Sequence, residues 1–278
     1  MSIASAYQTL LATGQIKPDP AQSQAVEALS RLAAYLVSAG SAQSPGLLAR
    51  LLGKRDRTPL LRGLYLHGPV GRGKSMLMDL FFENVAVAAK RRVHFHAFML
   101  EVHDRIHSWR NKAAEDPLAE VAKDIAAETR LLCFDEFQVT DVADAMILGR
   151  LFTALFKRGV VMVATSNTAP ENLYEGGLQR ALFLPFIALL REHCDVQEVA
   201  GPQDYRRLFR TTHATYLMPD DEKAAALMEQ MFLALTRTDT SQPVRHAVKG
   251  HVLVVPRAAH GVAWFAFADL CEQPLGSV

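Results

Sequence analysis

One octapeptide restricts the fold of this 278-residue chain more than any other stretch. Gly68, Pro69, Val70, Gly71, Arg72, Gly73, Lys74 and Ser75 run consecutively and fit G-x-x-x-x-G-K-[ST] without a mismatch. An apolar Leu-Tyr-Leu-His strand at 64–67 leads in, and a helix opening on Met76 leads out. The chemistry needs these residue types in this context. Glycines let the backbone curl so that successive N–H groups face phosphate oxygens, and the following helix N-terminus adds its own donors and partial positive charge. Lys74 then places a point charge on β- and γ-phosphates, and Ser75 offers a hydroxyl to Mg²⁺.

A strand–loop–helix unit of this kind needs a parallel sheet around it. Between 63 and 199, short apolar runs at 64–67, 92–98, 131–135, 160–165 and 195–199 alternate with helical patterns at 75–89, 100–109, 118–128, 141–157 and 178–192. Strands and helices of these lengths in alternation predict crossover units and a largely parallel sheet buried on both faces. Ahead of it, Ala25, Leu29, Leu32 and Leu36 keep helical spacing within 21–39. A loop rich in Ser, Gly and Pro follows at 38–46, then a basic run at 50–62 that suits a solvated linker. After 201 the alternation stops. One helix at 220–235 and strands at 252–255 and 262–267 predict a smaller α+β region. The expected organisation is a helical segment and linker at 1–62, an α/β nucleotide-binding core at 63–200, and the α+β region at 201–278.

Composition excludes several classes. Lys and Arg number 30 against 29 Asp and Glu, so the net charge is +1, and a protein devoted to wrapping nucleic acid is not expected. The three cysteines, Cys133, Cys194 and Cys271, have neither disulfide-framework nor zinc-knuckle spacing and fit a reducing compartment. The first residues resemble neither a secretory leader nor a transit segment, and no apolar run reaches membrane-spanning length; a soluble, cytoplasmic protein is the expectation.

The second half of a phosphate site must hold the metal and prepare a water. Leu131-Leu-Cys-Phe-Asp135-Glu136 is an apolar strand ending in two acids. Asp135, at the C-terminal end of a buried strand, suits Mg²⁺ through its water shell, while Glu136 points elsewhere and suits the base that prepares the attacking water. That adjacency favours hydrolysis over transfer to a substrate hydroxyl. A third strand ends in Ser166-Asn167. If it lies between the first and the acidic strand, Asn167 sits beside the γ-phosphate; as a strand-end and helix-start residue it also has a purely structural use.

Longer blocks single out a family. The stretch from Leu132 through Asp135-Glu136-Phe137 to Met146, the strand end Val163 to Asn167, Val93-His-Phe-His-Ala-Phe-Met99, Gly177-Leu-Gln-Arg180, Phe183-Leu-Pro-Phe-Ile187 and Trp264-Phe265 resemble the ZapE-type ATPases. These are bacterial cell-division ATPases with mitochondrial AFG-one-like relatives, within the AAA+ group. The resemblance implies an AAA+ P-loop NTPase with a parallel five-stranded core sheet flanked by helices. It implies ATP and Mg²⁺ as cofactors, residues 68–75 as the Walker A loop, Asp135 and Glu136 as the Walker B pair, and Asn167 as the sensor. Arg180 stands where such proteins present an arginine finger to a neighbouring subunit; a surface arginine opening a helix is the other reading. Asp19 and Gln22 match the family's Asp-x-x-Gln and would border the adenine, or Asp19 caps a helix. A homo-oligomeric ring and a protein client, FtsZ or a quality-control substrate, are further implications. Where the family has a second arginine, two positions after Arg180, this chain has Leu182. Family members run on past Val278, so this chain by itself is expected to be monomeric at moderate concentration.

Other residues compete for attention. His94 and His96 would share a sheet face on one strand, and His103 and His107 are spaced i, i+4. His103-Asp-Arg-Ile-His107 lacks the glutamate of H-E-x-x-H, so structural histidines are the reading. Phe95, Phe98 and Met99 read as core, and Trp109 as a low-ranking candidate for a pore contact. A nucleotide-gated adaptor that uses hydrolysis as a timer is the alternative to a remodelling ATPase. A small-molecule kinase is disfavoured by Asp135-Glu136.

Overall fold

The computed structural model describes residues 2–41, 62–200, 216–236, 238, 240–248 and 251–272. The chain divides into two compact units, Met1–Phe209 and Arg210–Val278.

The first unit opens with two helices, α1 (Ile3–Ala12) and α2 (Pro20–Ser41). Strand β1 (Gly63–His67) runs into the glycine loop and α3 (Lys74–Asn84). Then follow β2 (Lys90–His94), α4 (Phe95–Asn111), α5 (Pro117–Glu128), β3 (Leu131–Asp135), α6 (Val142–Lys157) and β4 (Val161–Ser166). A 3₁₀ turn (Pro170–Asn172), α7 (Arg180–His193) and β5 (Cys194–Glu198) complete it. All five strands pair in parallel in the order β2-β3-β4-β1-β5. This is the five-stranded parallel α/β core that the alternation of strands and helices predicts.

The period of two along each strand sends its side chains to two separate apolar layers. Tyr65, Leu132, Phe134, Met162 and Ala164 join the layer under α4 to α7. Leu64, Leu66, Leu131, Cys133, Val161 and Val163 join the layer under α1, α2 and α3. Each layer needs its helices: Phe95, Phe98, Met99, Val102 and Ile106 of α4 follow i, i+3, i+4, i+7 spacing and are all buried. On the other face Ala25, Leu29, Leu32 and Leu36 of α2 do the same. With both faces covered, the C-terminal ends of the strands are left as the place where loops can gather around a ligand.

In the second unit, α8 (Glu222–Thr236) accompanies an antiparallel sheet of β6 (Gln242–Val248), β7 (His251–Ala259) and β8 (Val262–Trp264), and α9 (Phe267–Cys271) follows. Trp264 meets Phe232 edge-on at 5.6 Å, and the Arg257 guanidinium lies over both rings at 4.8 and 5.0 Å while pairing with Glu229.

Several expectations need correction. The strand expected over 92–98 ends at His94, because Phe95 starts α4; Val-His-Phe-His-Ala-Phe alternates like a strand, yet Phe95, Phe98 and Met99 fit one helix face. His94 and His96 therefore do not share a sheet face. The helix expected over 75–89 stops at Asn84, α2 extends through Ser38 to Ser41, and the strand expected at 262–267 ends at Trp264. Loop residues 42–46 and the basic run except Arg62 lie outside the described residues. No helix among the described residues is long and apolar enough to cross a membrane.

Candidate active site

The loop between β1 and α3 is held open by backbone conformations that side chains disfavour: Gly68, Gly71 and Gly73 have φ of 143°, 81° and 83°. Close packing reinforces this at two of them. A Cβ on Gly68 would lie 2.5 Å from the Val199 carbonyl oxygen, and one on Gly73 would lie 2.7 Å from Gln22 Nε2. Lys74 is 8% exposed. Its Nζ donates to the carbonyls of Gly68 (2.6 Å) and Pro69 (2.8 Å) and to Asn167 Oδ1 (3.0 Å). Since β4 lies between β1 and β3, Asn167 follows the strand adjacent to the loop, the placement on which its expected role depended.

The two acids at the end of β3 meet different surroundings. Phe134 and Phe137, both fully buried and 5.7 Å apart, pin the chain on either side of them. Glu136 takes a left-handed φ of 53°, and its N–H donates to Thr165 Oγ1 at 3.3 Å. Phe137 N–H donates to the Thr165 carbonyl at 2.7 Å, and the Ser166 hydroxyl donates to the Phe137 carbonyl at 2.7 Å. Three contacts thus hold a conformation that costs a non-glycine residue about 1–2 kcal/mol. The turn leaves Asp135 buried and Glu136 exposed.

Val70, Gly71, Arg72, Gly73, Lys74, Ser75, Glu136, Thr165, Ser166 and Asn167 line one cleft of about 380 Å³ at this strand edge. Thr165 and Ser166 were not singled out in the sequence, although Thr-Ser-Asn167 closes β4. Arg72 Nε and Nη1 are buried without a hydrogen-bond partner among the described residues, so the cleft carries donors unused by the protein. Glycine-loop amides, an ammonium, an orphaned guanidinium and a helix N-terminus fit a polyphosphate. The Ser75 hydroxyl suits a hard divalent cation; Asp135, the other expected ligand, ends β3 outside the lining residues. His67, at the end of β1, adds no second charge: burial lowers its pKa, Glu198 opposes that and Lys74 lowers it further, so the ring is neutral at pH 7.

The remaining expected residues lie outside the cleft lining. Gly68 and Pro69 face Lys74 through their carbonyls, and Met76 belongs to the first turn of α3. Asp19 caps α2, accepting from Ala21 N (2.8 Å) and Gln22 N (3.1 Å). Gln22 lies behind the loop with its amide on the Arg72 carbonyl. Arg180 opens α7 and donates to the Glu171 carbonyl. His103 Nε2 meets Asp144 Oδ1 at 2.7 Å, and the described residues contain no cluster able to hold a metal through three His, Cys, Asp or Glu side chains. Trp109 packs against the core with its Nε1 donating to Asp124, which ties the ring down. Cys133 and Cys194 are buried thiols pushed up to about 12 by burial, inert at neutral pH.

The entire chain, residues 1–278, matches the family described as AFG1-like ATPase. It belongs to that family. Lactation elevated protein 1 homolog B of Danio rerio is 46% identical over 78% of this chain and 45% of its own length. Cell division protein ZapE of Escherichia coli K12 is 44% identical over 83% of this chain and 63% of its own. An uncharacterised protein of Schizosaccharomyces pombe is 39% identical over 96% of this chain and 66% of its own. The chain therefore spans about half to two thirds of the length of these relatives. Among solved structures, AMPPCP-bound DnaA from Aquifex aeolicus aligns at 12% identity with a TM-score of 0.44, over 80% of this chain and 64% of that one.

In this AFG1-like ATPase the sequence did not reveal the partner of Asp135. Arg92 of β2 donates to Asp135 through Nε (2.7 Å) and Nη2 (3.2 Å), and to Asp79 of α3 through Nη1. Burial lowers the Arg92 pKa, but the hydrogen bonds and charges of Asp135 and Asp79 outweigh it and the net shift is upward. The guanidinium therefore bridges two carboxylates, one on the helix after the glycine loop and one on the acidic strand. Arg92→Ala is expected to cost about 1–3 kcal/mol by leaving Asp135 without its counter-charge. Mg²⁺ without nucleotide should raise the melting temperature of this variant more than that of the unaltered chain, because a cation can replace the guanidinium between the two acids. A melt showing equal shifts would assign Arg92 no link to the cation site.

Proposed function

We propose that this chain binds ATP with Mg²⁺ in the cleft at the end of β1 and hydrolyses it, and that turnover remodels a protein partner. The observation that carries the reading is the meeting of Lys74, Glu136 and Asn167 on one cleft beside the glycine loop. Ser75 and Asp135 would hold the cation, which supplies charge neutralisation between the phosphates when bound. Lys74 and the loop amides bind and orient the polyphosphate. Glu136, exposed to the cleft, takes the proton of the attacking water, and the Asn167 amide orients that water or the terminal phosphate. The name of the E. coli relative supports a client in cell division, with FtsZ as the specific candidate, and quality control is the other client class. A Glu136→Gln variant used as bait with ATP should retain the client; retention that persists without nucleotide would separate the client from the ATP cycle.

Arg180 is assigned to a neighbouring copy's nucleotide. It opens α7 outside its own cleft lining, where its Nη2 donates to the Glu171 carbonyl. Hydrolysis per chain is accordingly expected to rise with concentration as copies meet, towards the roughly 10³-fold or more that a finger completed by assembly is worth. Arg180→Ala should bind ATP normally and show no rise. Full activity in a demonstrated monomer, undiminished in Arg180→Ala, would remove the trans role.

A further inference from the structure

The amide of Gln22 touches the glycine loop without lining the cleft. Gln22 lies in the first turn of α2 and is fully buried. Its Nε2 donates to the Arg72 carbonyl at 2.9 Å, and its Oε1 accepts from the Tyr7 hydroxyl of α1 at 3.3 Å. Its backbone N–H is held in turn by the Asp19 cap at 3.1 Å. One donor and the acceptor of the amide are therefore committed to protein groups, and the side chain packs directly under Gly73, where even a methyl group would collide with Nε2.

The consequence follows from peptide geometry. A trans peptide is planar, with its C=O and N–H pointing in opposite directions. Holding the Arg72 carbonyl towards α2 therefore turns the Gly73 N–H the other way, towards the cleft that Gly73 and Lys74 line. Gly73, with φ 83° and ψ 14°, has wide rotational freedom of its own, so the peptide before it needs an external hold. We propose that Gln22 is the positioning residue of the phosphate loop, fixing the Arg72–Gly73 peptide so that its N–H faces the phosphates, with Tyr7 fixing the amide. Through this chain of contacts α1 and α2 become part of the nucleotide site.

The proposal rests on the cleft being an ATP site, and the test separates the two. Mg·ATP and inorganic tripolyphosphate, which has no base, are titrated calorimetrically into the unaltered chain and into Gln22→Glu and Gln22→Met. Gln22→Met keeps the length of the side chain and removes the donor, and it carries the test; Gln22→Glu keeps the acceptor and can donate to the Arg72 carbonyl only when protonated, so its loss should grow as pH rises. Thermal melts identify the folded fraction, to which the affinities refer. The expected result is a loss of about tenfold in affinity, equal for ATP and for tripolyphosphate, with a smaller loss of about threefold in Tyr7→Phe. Unchanged affinity for both ligands would overturn the proposal. A loss for ATP with tripolyphosphate unaffected would also overturn it, by assigning Gln22 to the adenine. If the unaltered chain binds neither ligand, both this inference and the ATP-site reading fail.

Discussion

Replacing Lys74 by alanine should remove measurable nucleotide binding. Lys74 is 8% exposed, and the three acceptors described above are neutral oxygens, two loop carbonyls and the Asn167 amide. A phosphate bound beside the loop would meet this ammonium, and a pair of unit charges at 4 Å is worth about 4 kcal/mol at an effective dielectric of about 20. That corresponds to roughly 10³-fold in affinity. Alanine leaves the glycine conformations and the helix N-terminus intact, so the variant should fold. A calorimetric titration with Mg·ATP reads the effect directly, and unchanged affinity would mean that the cleft binds its ligand without the loop cation.

Glu136→Gln separates binding from chemistry. Glutamine has the same shape, and the backbone bonds to Thr165 do not involve the side chain. Affinity for Mg·ATP should therefore stay within a few-fold, while single-turnover hydrolysis falls by about 10²–10³-fold because the group that takes the proton is gone. The alternative base is Asp135, but Arg92 engages both of its oxygens, which suits a fixed anion better than a proton acceptor. Normal turnover in Glu136→Gln would move the proton to another group.

The elements that the sequence made legible were those whose pattern is local. Strand β3 was read with the boundaries it has, because Leu-Leu-Cys-Phe is apolar on both faces and the two acids end it. The glycine loop announced the end of β1 and the start of α3 in the same way. Boundaries failed where one pattern served two periods: Val93-His-Phe-His-Ala-Phe98 alternates, yet the chain turns helical at Phe95 to bury Phe98 and Met99. Strand β6 was missed because Gln242-Pro-Val-Arg-His carries proline and exposed polar residues, the composition of an edge strand. Helix α1 was missed because its ten residues carry no charge and were weighed only as a possible leader.

Within the site, what was legible is what sits next to itself in sequence. Lys74, Ser75, Asp135 and Glu136 need only their own strand ends. Arg92 needed the knowledge that β2 lies beside β3, which no run of residues declares; only the register of Arg92 with Cys133 brings its side chain up to Asp135. Gln22 lies fifty positions from Arg72, so no local pattern could show that its amide meets the loop carbonyl.

The central claim is that ATP is hydrolysed in this cleft by these residues. Phosphate release from Mg·ATP by the purified chain at high concentration, measured beside Lys74→Ala prepared identically, tests it most directly. The account predicts release that saturates with ATP in the unaltered chain and falls to the no-enzyme baseline in Lys74→Ala. Release that is absent from the unaltered chain, or equal in the two proteins, would contradict it.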